Sequence, residues 1–341
     1  MYTACRKYMA SSMEIISKEI IKPSSPTPNN LKTFKLSLLD QLTLHSHTAI
    51  LLLYKSQHIN NSDILNFFLS KTLTKYYPFA GRLEKDGITV DCGDHGVVFV
   101  EAKILGCRLS EFHAYPRCGM EVTIDISHKV VDGCMMAAFL NDWAATAHGE
   151  VRPPPMILAA SIPSLDLGYM MPDIVINKAK TCVTKRFVFG AQKIGLLKQS
   201  VSGFVETPTK GELITTVLYR CVVTSSMEKM GCFTNSNLIE LLKKEMKELH
   251  DGGDGQNLHD WLLSVRESAK NAKELFGHVN VYRCSDVHNA PYYQTNFGWG
   301  TPRWVTVPYL LVRNMFILLN TPDGDEIEAM VTLEEGHMKL C

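Results

Sequence analysis

From residue 120 to 126 apolar and polar positions alternate. Val122, Ile124 and Ile126 share one face and Thr123 and Asp125 the other, which is the period of a half-buried strand. After Gly133 the period changes: Met136, Phe139, Leu140, Trp143 and Ala147 recur at helical spacing, and Gly149 supplies a stop. Between the two patterns the chain reads Ile-Ser-His-Lys-Val-Val-Asp-Gly, residues 126–133. His128 therefore stands where a strand ends, and Asp132 at or beside the N-cap of the following helix.

The same reading gives the other elements. Residues 14–21 form a short strand, and Pro23, Pro26 and Pro28 then impose an extended segment. Phe34, Leu36, Leu38 and Leu39 open an apolar stretch that ends at Asp40, and 49–54 is a strand-sized apolar run. Ile64, Phe67, Phe68, Leu69 and Leu73 mark a helix over 62–76, capped by Ser62 or Asp63. Residues 88–92 and 97–102 alternate across Gly93-Asp94-His95-Gly96, which predicts a hairpin. A Pro-rich stretch at 153–163 and a linker over 166–182 separate this half from the next. There a strand is expected at 183–189, and helices at 191–200, 209–223, 237–250 and 257–276, the last two flanking a glycine-rich loop at 251–255. Residues 279–283 and 292–295 lead into a turn, and 303–307 and 314–319 read as closing strands. The expectation is an α/β chain of two domains, 13–165 with His128 and 183–341 with residues 296–300, joined by 166–182.

Composition narrows the classes. The 341 residues are 45% hydrophobic and 21% charged, with Lys+Arg and Asp+Glu both 35. No basic run stands out, so nucleic acid is not an expected partner. Ten cysteines (5, 92, 107, 118, 134, 182, 221, 232, 284 and 341) contain no C-x-x-C pair, which argues against a metal site and against a disulfide framework. Reduced thiols, no apolar leader over 1–12 and no run long enough for a bilayer give the expectation of a cytoplasmic protein with no membrane partner.

Two stretches carry candidate chemistry. An imidazole at a strand end can face a cleft and act as a general base near neutral pH, and a carboxylate at Asp132 suits a helix N-terminus. The second stretch is Asn296-Phe297-Gly298-Trp299-Gly300, whose glycines permit a tight turn around a large packing surface. Weaker candidates are His45 and His47 at i, i+2 spacing, and Cys134, whose place on a helix's first turn could lower its pKa. No phosphate loop of the G-x-x-x-x-G-K-[ST] kind is present.

Together the two stretches resemble the paired motifs H-x-x-x-D-G and D-F-G-W-G of the plant BAHD acyltransferases. Tyr77-Pro78-Phe79-Ala80-Gly81-Arg82 resembles that family's Tyr-Pro-x-Ala-Gly-Arg turn, and the wording of 90–102 and of 183–223 is similar too. The opening segment is closest to the branch that works in alkaloid biosynthesis. The resemblance implies two chloramphenicol-acetyltransferase-like α/β domains, each a mixed sheet with helices, and an active-site channel at their interface. It implies a monomer that uses an acyl-CoA, here acetyl-CoA, as co-substrate and a small-molecule alcohol as acceptor. His128 would be the general base, with no covalent intermediate. Asp132, Gly133, Asn296, Phe297, Gly298, Trp299 and Gly300 would support the site, and the residues that contact coenzyme A are unknown. Three departures stand out. The family's first turn residue is Asp and here it is Asn296; the pattern is short between Cys107 and Met120; and it is short again between Val223 and Ser236, where an arginine-bearing segment is expected. Without that arginine, Asp132 is either a buried carboxylate lacking its partner or a surface helix cap. The alternative to an active enzyme is a shortened paralogue that binds ligand without turnover.

Overall fold

The computed structural model describes residues 12–43, 46–55, 62–105, 120–150, 152–153, 182–226, 235–252, 282–308 and 313–340. In chain order the elements are β1 (Ser12–Ile21), β2 (Thr33–Lys35), α1 (Leu38–Leu42), β3 (His47–Tyr54), α2 (Ser62–Lys75), β4 (Arg82–Leu83), β5 (Thr89–Asp91), β6 (Val97–Leu105), β7 (Met120–Ser127) and α3 (Gly133–Ala147). They continue as β8 (Cys182–Phe189), α4 (Ala191–Ser200), α5 (Lys210–Ser226), α6 (Asn235–Gly252), β9 (Arg283–Asp286), β10 (Trp304–Thr306), β11 (Met315–Asn320), β12 (Ile327–Glu334) and α7 (Glu335–Leu340). The chain divides into two compact units: Met1–Ile174 with Ala290–Tyr309, and Val175–Asn289 with Leu310–Cys341.

The first unit is built around α3. Asp132 caps it, and its one formally charged residue is Asp142, so the helix is apolar almost all round and suited to burial. Met136, Phe139, Leu140 and Trp143 are buried, each stabilising the unit by about 1.5–3 kcal/mol relative to exposure. Phe139 meets Tyr76 and Phe79 at ring-centroid distances of 5.1 and 5.0 Å, and Trp143 Nε1 donates to Leu65 O of α2 at 3.1 Å. A three-stranded antiparallel sheet runs β10-β3-β7, with Ile50 opposite Ile124 and His47 opposite Ser127. A second sheet runs β2-β5-β4, and β1 pairs with β6 alone.

That pairing corrects the expected hairpin. The strands on either side of Gly93–Gly96 do not bond each other: β5 joins β2 and β4, and β6 joins β1 over nearly its full length. The connecting loop is held open from outside, because Asp94 at φ 57° accepts from Thr27 N at 3.0 Å and from Thr27 Oγ1 at 2.6 Å. Period and turn residues were right; the partner was not.

The second unit has a four-stranded sheet ordered β8-β12-β11-β9, covered by a core of Ile194, Leu213, Ile214, Leu218 and Val222 against Phe316, Leu318, Ile327, Ala329 and Val331. Its central strand β12 was absent from the sequence reading. Seven of its eight residues are buried, including Glu328 at 1% exposure, which takes a bidentate pair from Arg186 of β8 (2.7 Å to each oxygen). A second correction concerns residues 296–300, expected in the C-terminal domain. They lie in the first unit, because β10 hydrogen-bonds β3 and Tyr54 Oη donates to Thr295 O at 3.1 Å. Residues 292–294, just before, form a single 3-10 turn. The expected helix at 257–276 and His45 fall outside the described residues.

Candidate active site

His128 begins the turn that joins β7 to α3. Its amide donates to Ser46 O at 2.8 Å, while the amides of Val130 and Val131 close back on Ser127 O at 3.0 and 3.3 Å. Val130 packs against the small cluster of Leu36, Val90 and Cys92, which seats the turn on the β2-β5-β4 sheet. The imidazole is half-buried, and its Nδ1 is buried without a hydrogen-bond partner among the described residues.

Asp132 resolves as the second of its two readings. It is exposed, and its Oδ1 accepts from Met135 N at 2.7 Å, the N-cap of α3. It is thus tied to the helix rather than to the imidazole. Cys134, the weaker candidate, lies on the first turn as an exposed free thiol. Desolvation and then the neighbouring Asp132 charge push its thiol up, opposite to the lowering a helix N-terminus by itself favours. His47 is paired: its Nδ1 lies 2.9 Å from Asp125 Oδ1 across the β3-β7 ladder. Among the described residues no group of three or more His, Cys, Asp or Glu could hold a metal ion.

The turn at 296–300 is organised by the Asn296 side chain. Its Oδ1 accepts from Gly298 N at 2.9 Å and Gly300 N at 3.1 Å, and the two glycines take φ of 106° and 98°, where a side chain would be strained. Phe297 and Trp299 stack on each other with centroids 5.2 Å apart, and both lie edge-on to Tyr54. Phe297 also meets Trp143 of α3 at 4.9 Å. His148 Nε2 donates to Asn296 O at 2.9 Å, just past the C-terminus of α3. His128 precedes the other end, and α3 is about 20 Å long at 1.5 Å per residue. The turn therefore braces the far end of the helix and does not touch the imidazole. A cavity of about 290 Å³ beside it, lined by residues including Asn141, His148, Arg152 and Asn296, belongs to this far end as well.

Two residues near His128 were not singled out from the sequence. Lys129 is 6% exposed, and its Nζ donates to Gln41 O of α1 at 2.8 Å. Tyr292 is 2% exposed, and its hydroxyl donates to Gly133 O at 2.7 Å. Neither has a signal in one sequence: a lysine in a turn reads as solvated, and a tyrosine beside an aromatic turn reads as packing.

Comparison with known proteins identifies the family and the fold. The model of the Transferase family matches residues 11–117, 115–235 and 229–340. Akuammiline synthase 1 of Alstonia scholaris is 34% identical over 406 aligned residues, covering 97% of this chain and 96% of the relative. The 17,18-epoxy-17-hydroxycur-19-ene N-malonyltransferase of Strychnos nux-vomica is 30% identical, covering 97% and 89%. Among solved structures, vinorine synthase superposes with a TM-score of 0.78 at 26% identity over 96% of each chain. An alignment of 406 positions to a chain of 341 requires stretches in the relative that have no counterpart here. The family match is jointed at 115–117 and 229–235, within the two regions where the sequence runs short of the family pattern.

Proposed function

The chain belongs to the Transferase family, the BAHD acyltransferases, and we propose that within it the protein moves an acetyl group from acetyl-CoA to a hydroxyl of an alkaloid or related plant metabolite, with His128 as general base. The family membership makes it an acyltransferase with an acyl-CoA co-substrate and a two-domain chloramphenicol-acetyltransferase-like fold. The names of its relatives support an alkaloid acceptor.

The observation that carries the mechanism is the placement of His128 at the mouth of α3 with Asp132 already committed to Met135 N. A hydroxyl is a poor nucleophile until its proton leaves, and a thioester is already activated, so a base is needed and a covalent enzyme intermediate is not. The His128 imidazole takes the hydroxyl proton as the C–O bond forms. The tetrahedral adduct then collapses with cleavage of the C–S bond, and the imidazolium returns the proton to the departing thiolate. Asp132 has no relay role in this scheme; it holds the turn.

His128→Ala tests the proposal, with acetyl transfer measured on a panel of alkaloid alcohols. The expected loss is roughly 10²-fold or more, the range of general-base contributions, with the melting temperature little changed. Cys134→Ala is expected to keep its rate. Near-full activity in His128→Ala, or abolition by Cys134→Ala alone, would overturn the assignment. The malonyl group and nitrogen acceptor in the name of one relative give a specific second reading, so malonyl-CoA and amine acceptors belong in the same panel. A stable wild-type protein that binds acyl-CoA but turns over nothing in that panel would favour the inactive paralogue.

A further inference from the structure

We propose that Lys129 and Tyr292 are positioning residues that hold the His128 turn at its start and at its helix end and so aim its imidazole; the catalytic part of the proposal rests on reading His128 as the base. A catalytic histidine is commonly oriented by a hydrogen bond to its second ring nitrogen. Here Nδ1 is buried and without a partner among the described residues; Asp132, four residues on, is occupied as a cap, and Asp125, three residues back, pairs with His47. The ring's direction is therefore set by the backbone of residues 127–133, and what ties that backbone aims the ring.

Two buried polar side chains tie it. Lys129, next to His128, reaches back to α1 through Nζ and Gln41 O at 2.8 Å. Burying an ammonium group is expensive unless it is bonded, so a lysine at 6% exposure here is not explained by packing. At the helix end of the turn the Tyr292 hydroxyl holds Gly133 O, the carbonyl of the first residue of α3, at 2.7 Å. Tyr292 stands on a segment that is itself fastened along the helix. Asn141 Nδ2 donates to Pro291 O at 3.0 Å, Thr295 Oγ1 donates to Asn141 Oδ1 at 3.3 Å, and His148 holds Asn296 O. The return segment thus acts as a strap along α3. The aromatic turn fixes its far end, and Tyr292 delivers that rigidity to the end that carries His128. On this view the two sequence motifs, a helix length apart, are mechanically one device.

The test uses Tyr292→Phe, which removes only a hydroxyl, and Lys129→Met, which keeps most of the apolar stem and removes the ammonium group. Steady-state kinetics are paired with NMR of ring-labelled histidine, in which the His128 resonance is identified by its absence from His128→Ala. In each variant kcat is expected to fall about tenfold or more, the scale of a sub-ångström to ångström misplacement, while KM for acetyl-CoA stays within about twofold. The His128 resonance should shift or broaden, those of His148 and His288 should hold, and the melting temperature should move by only a few degrees. A His128 resonance unchanged in both variants overturns the proposal, and so does a rate loss that tracks melting while every histidine resonance moves. If His128→Ala keeps wild-type turnover, the base assignment fails, and the resonance still decides whether Lys129 and Tyr292 position the ring.

Discussion

At Asn296 a single amide oxygen gathers two backbone N–H groups, those of Gly298 and Gly300. A carboxylate has the same shape and would accept the same two hydrogen bonds with charge assistance, which roughly doubles their strength. Asn296→Asp, the residue of the family motif, is therefore expected to leave activity equal or higher and the melting temperature unchanged or raised. A large loss of activity would mean that the turn is built around the neutral amide. The comparison also separates the two motifs chemically: altering the turn should act through α3, whereas altering His128 acts on the proton itself.

Among the elements, β12 shows how a strand can hide. Its stretch begins after Pro322-Asp323-Gly324-Asp325-Glu326 and carries Glu328, so its charge reads as surface. Glu328 is buried with Arg186, 142 residues earlier in the chain, meeting both of its oxygens across the β8-β12 ladder. Breaking such a pair from one side leaves a carboxylate in the core without its main counter-charge. Arg186→Ala should therefore destabilise the protein by roughly 3 kcal/mol, the lower end for broken buried pairs, read as a shift of the denaturant midpoint. Arg186→Met combined with Glu328→Leu should recover most of that loss. A single variant as stable as wild type would show that the pair contributes nothing.

For the whole molecule, the pairing of β7 bears on association. Among the described residues β7 pairs with β3 only and stands at an edge of β10-β3-β7. Edge strands present unpaired backbone groups on one side and invite association. Alternate amides of β7 are expected to exchange quickly while those bonded to β3 stay protected, and sedimentation should show self-association rising with concentration. Strong protection of every β7 amide in a monodisperse monomer would contradict this. Among the described residues no helix is long and apolar enough to cross a membrane.

What the sequence determined by itself is local in origin. The alternation from Val122 to Ile126, the helical stripe from Met136 to Ala147 and the helix at Ala191–Ser200 were legible because period and caps are written within one element. The motifs around His128 and Asn296 were legible for the same reason, as short runs with their own turn chemistry. Choices between distant partners needed the tertiary structure. The glycine-rich loop at 93–96 implied a hairpin, but β6 took β1, some eighty residues earlier, because Asp94 and Thr27 hold that loop open. The aromatic turn joined the first unit because β10 found β3. Lys129 and Tyr292 became buried anchors because carbonyls at Gln41 and Gly133 came within reach of them. A polar group's burial depends on the partner that satisfies it, and a chain read in order does not say which distant carbonyl that will be.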